Sequence, residues 1–115
     1  MQQITIRLAT KADLPAILEL VRELAVYERA PESVTATLSD YERDFAEGIF
    51  ESIVAEADGV IVGMALYYMA YSTWRGRMLY LEDFVVTASL RKSGIGKLLF
   101  DKVLAIAKEK KAVLL

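Results

Sequence analysis

The segment LEDFVVTASLRKSGIGKLLFDKVL, from Leu81 to Leu104, says more about the fold than any other part of the chain. An apolar run typical of a strand leads into a polar turn with two glycines, and an amphipathic helical pattern begins directly after them. The first N–H groups of a helix lack intrahelical partners and carry partial positive charge, and glycine lets a phosphate approach the backbone closely. Arg91, Lys92 and Lys97 add positive charge nearby. The segment therefore predicts a strand, an anion-binding turn and a helix.

Two common phosphate-binding patterns do not fit this turn. A Walker A loop requires a glycine five residues before Gly96, where Arg91 stands. It also requires Ser or Thr after Lys97, where Leu98 stands. A dinucleotide-binding fingerprint requires a third glycine where Leu99 stands. The spacing that remains is R-x-x-G-x-G, and the alternative is an ordinary strand-to-helix loop whose glycines serve backbone geometry alone.

The first half of the chain has the patterns of a strand, two helices and a hairpin. Gln3 to Ala9 alternate as in a strand, and apolar spacing predicts a helix from about Ala12 to about Glu28. A short second helix is predicted after Ser39, with Gly48 as its end. Asp58-Gly59 is a strong signal for a hairpin between two strands.

The second half completes the predicted order β-α-α-β-β-β-α-β. The apolar run Val60 to Tyr71 predicts a strand covered on both faces, and Met78 to Val86 reads as the next strand. Ile95 to Lys110 has helical spacing, and Ala112 to Leu115 reads as the start of a buried strand. A length of 115 residues predicts one domain.

Composition excludes several kinds of chemistry. The chain contains no cysteine or histidine, which removes disulfides, thiol nucleophiles and histidine-based triads and argues against a metal site. Acid–base chemistry must therefore use Asp, Glu, Lys, Tyr or a proton of the substrate. A net charge of −2 argues against a nucleic-acid surface. The N-terminus has no signal-peptide profile and no apolar run approaches the ~20 residues that span a bilayer, so a cytoplasmic protein without membrane contact is expected.

The R-x-x-G-x-G spacing and the element order together resemble the GNAT acetyltransferase superfamily. The resemblance implies an α/β (α+β) fold with a mostly antiparallel mixed sheet flanked by helices, and acetyl-CoA as co-substrate. It places the pantetheine arm along the backbone of Phe84, Val85 and Val86. It assigns the pyrophosphate to a loop formed by Arg91, Lys92, Ser93, Gly94, Ile95, Gly96 and Lys97.

Three stretches resemble one branch of that superfamily, the diamine acetyltransferases of spermidine, spermine and thialysine. They are IRLATKADLPAILELVRELAVYE, VGMALYYMAYSTWRGRMLYLEDFVV and LRKSGIGKLL. The resemblance implies N-acetylation of the primary amine of a small diamine, a polyamine or a thialysine-like substrate, and a homodimer. It covers nearly all 115 residues but only about two thirds of a family member, so the chain is expected to be the N-terminal and central part of the domain, truncated after the start of the fifth strand.

One expectation follows from the part of the family that this sequence lacks. There the family carries a tyrosine that protonates the departing thiolate, and no tyrosine follows Tyr80 here. The alternative to an active enzyme is therefore a truncated, catalytically incomplete CoA-binding module that needs a partner segment or chain.

Two adjacent acids are the candidates for catalysis. An amine must lose a proton before it can attack a thioester, and a carboxylate can accept that proton through water. The resemblance assigns Glu82 as this base and Asp83 as a contact of the polyamine. Neighbouring residues of a strand point to opposite faces, so only one can enter a given cleft unless a bulge intervenes. The alternative is that both carboxylates are merely solvated or ion-paired at a strand end.

The remaining substrate contacts come from the resemblance alone. It implies that Tyr27, Glu28 and Trp74 line the amine site, although Tyr27 could simply pack and Glu28 could be a solvated helix end. The ring face of Trp74 could lie against a cationic chain. The diamine enzymes usually carry an acid where this chain has Ser72, which leaves thialysine, a shorter diamine or another primary amine open.

Overall fold

Residues 3–115, which the computed structural model describes, form five strands and three α-helices in the predicted order. The strands are β1 (Ile4–Leu8), β2 (Glu51–Ala57), β3 (Val60–Ser72), β4 (Gly76–Val86) and β5 (Val113–Leu114). The helices are α1 (Leu14–Tyr27), α2 (Leu38–Ala46) and α3 (Ile95–Glu109). The prediction of no signal peptide rests partly on Met1 and Gln2, which lie outside the described residues.

The sheet is mixed, as predicted. The order is β1-β2-β3-β4-β5; the first four strands are antiparallel and β5 is parallel to β4. Asp58 (φ 52°) and Gly59 (φ 81°) both have positive φ in the hairpin between β2 and β3, which is why this dipeptide was a strong signal. At the other edge, the Leu115 N–H donates to the Leu79 carbonyl at 2.9 Å.

Helices cover both faces of the sheet. On one face α3 contributes Leu99 and Val103 to a core with Tyr67 of β3. On the other face α1 contributes Ile17 to a core with Met64, also of β3. Six consecutive residues of β3, from 62 to 67, are therefore buried, so the prediction of cover on both faces is confirmed for this part of the strand. It is wrong for residues 68–72, which alternate between half-buried and exposed. Each large apolar side chain buried in this way stabilises the fold by about 1.5–3 kcal/mol.

The first residues of α1 and α2 both differ from the predicted ones. A 3₁₀ turn, Lys11–Asp13, precedes α1, so the α-helix begins at Leu14 rather than near Ala12. Helix α2 begins at Leu38, so it includes Ser39, after which the sequence predicted its start. The reason is a capping box, in which the Thr37 hydroxyl accepts the Asp40 N–H and the Asp40 carboxylate accepts the Thr37 N–H.

Within residues 3–115, none of the helices is both long and apolar enough to span a bilayer.

Candidate functional site

Strand β4 contains a bulge at Glu82. In the pairing with β3, Leu66 lies opposite Asp83 and the next residue, Tyr67, lies opposite Leu81. Glu82 is thus an extra residue with no partner across the ladder. Such a bulge locally interrupts the alternation of side chains along a strand.

The bulge turns both acids to the same face of the sheet. Before it, Leu79 and Leu81 pack into the core on the α3 side. After it, Val85 packs into the core on the α1 side, although an uninterrupted strand would keep all three on one face. Glu82, one residue after Leu81, and Asp83, two before Val85, therefore both face α1 and α2. The sequence predicts that both acids can enter one cleft only if a bulge intervenes, and the structure has that bulge.

An acidic cleft of about 380 Å³ lies over this part of the sheet. It lies between α1, the segment that follows α1, α2 and β4, and it is lined by Val21, Leu24, Ala25, Glu28, Ala30, Ser33, Val34, Thr35, Ala36, Tyr41, Glu82 and Asp83. Its charged groups are the carboxylates of Glu28, Glu82 and Asp83, and none of its lining residues is Lys or Arg. The remaining wall is mostly apolar. We call this site the acidic cleft.

Burial and mutual repulsion shape the electrostatics of the acidic cleft. Desolvation of half-buried Asp83 raises the pKa of its carboxyl, and the charges of Glu82 and Glu28 raise it further. Burial also raises the pKa of the Tyr41 hydroxyl, with Asp83 as the next cause. Crowded carboxylates of this kind favour a bound cation, because it relieves their repulsion.

Beyond the bulge, β4 has an open edge. The Leu81 N–H donates to the Leu115 carbonyl on the β5 side (3.3 Å), whereas the Thr87 N–H donates to the Val62 carbonyl on the β3 side (2.8 Å). Backbone groups alternate along a strand, so Phe84 and Val86 direct theirs away from β3. No strand within residues 3–115 pairs that edge beyond Leu81.

This geometry divides the predicted pantetheine contacts. The backbone groups of Phe84 and Val86 lie on the open edge, where an amide of the pantetheine arm can pair with them. Val85, predicted together with them, has its backbone directed at β3 and its side chain buried. Because backbone groups alternate in direction along a strand, Val85 cannot offer its own to the pantetheine arm on the open edge.

The glycine turn leads into an uncapped helix. Gly94 has φ +92° at the N-cap of α3, a conformation that favours glycine. A Cβ added at Gly96 would make only ordinary contact with the Phe84 ring, at 3.7 Å, so packing does not require glycine there. No side chain caps the helix and its first turn carries no acid. The first-turn N–H groups and the space over Gly96 fit a phosphate.

Side chains of the loop differ in what they offer an anion. Lys92, Ser93 and Lys97 are exposed, and Lys97 also contacts Asp101 at 2.7 Å. Ile95, predicted in this set, is only 2% exposed, so its side chain is closed to an anion and only its backbone N–H is left for that predicted role.

Arg91 connects the loop to α1. Its Nε donates to the Val86 carbonyl at 3.1 Å, and its guanidinium lies over the Tyr27 ring, 5.3 Å from the centroid. Glu23 lies 3.9 Å from the guanidinium and accepts the Ala88 N–H at 3.1 Å. Sequence reasoning missed Glu23, because its partners lie far along the chain.

The predicted substrate contacts are only partly brought together. Glu28 lines the acidic cleft with Glu82 and Asp83. Tyr27 is 72% exposed beside Arg91, and Trp74 is 95% exposed in the turn between β3 and β4; neither lines the cleft. Tyr41 does line it but was not predicted, because it lies in a short amphipathic helix with no motif.

The residues fit acetyl-CoA, with an uncapped helix N-terminus for its pyrophosphate and an open strand edge for its pantetheine. No group of three or more His, Cys, Asp or Glu within residues 3–115 is arranged to hold a metal ion.

Comparisons with known proteins agree with this geometry. The model of the Acetyltransferase (GNAT) family matches residues 14–115. A thialysine N-epsilon-acetyltransferase from Bos taurus is 40% identical over an alignment of 117 positions, gaps included, which covers 93% of this chain and 69% of the bovine protein. A spermidine/spermine N(1)-acetyltransferase-like protein from Homo sapiens is 36% identical over an alignment of 116 positions, which covers 93% of this chain but 17% of the human protein.

Solved structures have the same fold. An aminoglycoside N-acetyltransferase in complex with CoA superposes with a TM-score of 0.76 at 22% identity, over 99% of this chain and 75% of the other. The predicted GNAT fold is thereby confirmed. With the family model, the relatives and the fold in agreement, this chain belongs to the GNAT acetyltransferase family, whose co-substrate is acetyl-CoA.

Proposed function

We propose that this chain transfers the acetyl group of acetyl-CoA to a primary amine of a small diamine, a polyamine or a thialysine-like compound, by direct attack of the amine on the thioester. The bulge in β4 carries this proposal, because it turns two acids toward one cleft beside the open edge of the same strand. Amine and thioester would therefore meet at β4.

The donor side uses backbone groups. The N–H groups at the start of α3 and the space over Gly96 bind the pyrophosphate of acetyl-CoA, and Phe84 and Val86 pair with its pantetheine arm. Bound acetyl-CoA supplies an electrophilic acyl carbon and a thiolate leaving group.

The acceptor side uses charge. An alkyl amine has a pKa near ~10, so it arrives as an ammonium ion. The carboxylates of Glu28, Glu82 and Asp83 attract this ion, and the apolar wall of the acidic cleft accommodates the methylene chain.

The base must remove a proton from the ammonium before attack. Glu82 is exposed at the bulge, so water can reach it, and it accepts the proton through that water. The C–N bond then forms and the C–S bond breaks. The nitrogen releases its second proton to solvent as the amide forms, and the thiolate takes a proton from solvent or from another acid.

The names of the relatives point to a class of amine and not to a single compound. The bovine relative acetylates thialysine by name and the human one is named for spermidine and spermine. In this chain Ser72 accepts the N–H groups of Trp74 and Arg75 with its hydroxyl, at 3.2 and 3.0 Å, and holds the turn. Ser72 does not line the acidic cleft, so the preference for a shorter or less charged amine than spermine rests only on the resemblance to diamine enzymes that carry an acid at this position.

The alternative is a CoA-binding module that becomes active only with a partner segment or chain. The open edge of β4 beyond Leu81 favours this reading, because an unpaired strand edge readily accepts another segment.

We also propose a cytoplasmic homodimer, on the resemblance to the diamine acetyltransferases. The half-buried side chain of Leu114 lies on the edge strand β5. Replacing it with a charged residue tests that edge as the interface: dissociation to a folded monomer supports it, and an unchanged mass excludes it.

Release of CoA thiol from acetyl-CoA tests the proposed function. Spermidine, spermine, thialysine, lysine and putrescine are offered separately, and a reaction without amine is the control. Amine-dependent release with an acetylated product of the expected mass supports the transferase. Acetyl-CoA binding without release for any amine favours the module instead.

A further inference from the structure

Tyr41 occupies a fixed position in the wall of the acidic cleft. Its ring meets Phe50 edge-on, with the centroids 5.8 Å apart and the planes at 70°, and it packs against the core on the α1 side. The residue nevertheless lines the cleft with Glu82 and Asp83. Packing therefore holds the ring in place while the cleft keeps access to it.

The Tyr41 hydroxyl stays neutral in this environment. Burial is the largest cause of its raised pKa, Asp83 is the next, and Glu82 adds to it, whereas Arg22 acts in the opposite direction. A neutral phenol can donate one hydrogen bond and accept others. It can therefore donate to a carboxylate and accept an N–H from an ammonium at the same time.

The two acids at the bulge differ in their surroundings. Glu82 is exposed, whereas Asp83 is half-buried. The charge of Asp83 raises the pKa of the Tyr41 hydroxyl more than the charge of Glu82 does. An amine that reacts beside Glu82 thus leaves Asp83 and Tyr41 free to bind a second positive group. A monoamine has no group to place there.

We propose that Tyr41 is a specificity-determining residue, whose hydroxyl accepts an N–H from the distal ammonium of a diamine that Asp83 neutralises. This assignment rests on the proposed function. It selects amines with two positive groups over monoamines of the same length. A purely structural Tyr41 would have no such selectivity, because phenylalanine would fill the same space against Phe50.

The test compares Tyr41→Phe with the native chain on putrescine and on butylamine, which share a four-carbon chain. Both kcat and KM are measured, and calorimetry gives the Kd of putrescine without acetyl-CoA. The matched control is Tyr71→Phe, because Tyr71 is exposed on β3 and does not line the cleft. Thermal melting checks that each variant is folded.

We expect Tyr41→Phe to raise both the KM and the Kd for putrescine about tenfold, as loss of a hydrogen bond to a charged group would. We expect kcat, the KM for butylamine and every value for Tyr71→Phe to change less than about twofold. Equal effects on the two amines, or no effect on putrescine, would overturn the assignment.

The same measurements separate this assignment from the proposed function. If the native chain acetylates putrescine and Tyr41→Phe does so equally well, the function stands and the role of Tyr41 falls. If putrescine binds in a Tyr41-dependent way but no amine is acetylated, the role stands and the function falls. If putrescine neither binds nor reacts, the role of Tyr41 is overturned as well.

Discussion

The Nε of Arg91 lies 3.1 Å from the carbonyl oxygen of Val86, on the open edge of β4. A side chain predicted to contact the pyrophosphate therefore already occupies an acceptor that the pantetheine arm would use. If acetyl-CoA binds along this edge as proposed, we expect it to exchange that contact of Arg91 for one with the phosphate.

Replacing Arg91 by glutamine should weaken acetyl-CoA binding. The change removes a positive charge and its hydrogen bonds to phosphate, so we expect the Kd to rise about tenfold by calorimetry. Arg75→Gln, in the exposed turn before β4, is the control for loss of charge alone. Equal effects of the two variants would show that Arg91 acts only through overall charge.

The two glycines of the loop should respond differently to alanine. Gly96→Ala should keep or raise stability by up to about 1 kcal/mol, because its Cβ meets nothing closer than 3.7 Å and alanine favours a helix. It should nonetheless weaken acetyl-CoA binding, because the Cβ occupies space meant for phosphate. Gly94→Ala should lose about 1–2 kcal/mol of stability, because φ there is +92°.

Chemical denaturation and calorimetry on both glycine variants check this pair of outcomes. If Gly96→Ala binds acetyl-CoA as well as the native chain does, no phosphate approaches that residue.

Asp83→Asn should raise thermal stability at neutral pH. Burial, then Glu82 and Glu28, raises the pKa of Asp83 in the folded state. In the unfolded chain the pKa of this carboxyl is near ~4. As pH rises through that pKa, the unfolded chain loses the proton first, so the free energy of unfolding falls until the folded carboxyl also ionises. Asparagine cannot ionise, so we expect a Tm higher by about 2–5 °C at pH 7.5 and a gap that closes toward pH 4.

Asp58→Asn is the control for this pH series, because asparagine suits the same hairpin turn. A Tm gap for Asp83→Asn that does not change with pH would contradict the assignment to ionisation.

Elements with strong local signals were predictable from the sequence. The hairpin at Asp58-Gly59 and helix α3 have turn residues and periodicity that act over a few positions, and the structure has both. The predicted start of α2 was late by a short distance, because Ser39 and Thr37 are both plausible caps and each has an acid three residues later, Glu42 and Asp40. The structure forms the box of Thr37 and Asp40, a choice that spacing alone does not decide.

The central feature of the candidate site could not be read from the sequence. The bulge at Glu82 arises from the register between β3 and β4, a tertiary relation that no local pattern encodes. Tyr41 joins the cleft through the packing of α2 against α1, which is equally non-local. Sequence and family resemblance identified the acids, but only the fold shows that they share one face.

Tyr67→Phe should leave stability unchanged or raise it by about 1 kcal/mol. Tyr67 is 1% exposed, and its hydroxyl is a buried side-chain polar atom with no hydrogen-bond partner among the described residues. Burial, followed by the charge of Glu51, raises the pKa of this hydroxyl far above its usual range. The Glu51 carboxylate is close enough to add to this effect, but it does not meet the geometry of a hydrogen bond with the hydroxyl. Removing an unsatisfied buried group relieves its desolvation cost.

Denaturant unfolding of Tyr67→Phe beside Tyr68→Phe, whose side chain is less buried, measures this effect. A loss of more than about 1 kcal/mol for Tyr67→Phe would mean that the hydroxyl is satisfied, for example by water in the adjoining cavity of about 150 Å³.

The catalytic role of Glu82 is the claim on which the account depends, and kcat of Glu82→Gln tests it most directly. The substrate is the amine that gives the fastest thiol release, and calorimetry measures acetyl-CoA affinity in parallel. We expect kcat to fall about 10²–10⁴-fold, as loss of a general base would, with acetyl-CoA affinity unchanged within about twofold. A kcat close to that of the native chain would contradict the account and remove Glu82 from the reaction.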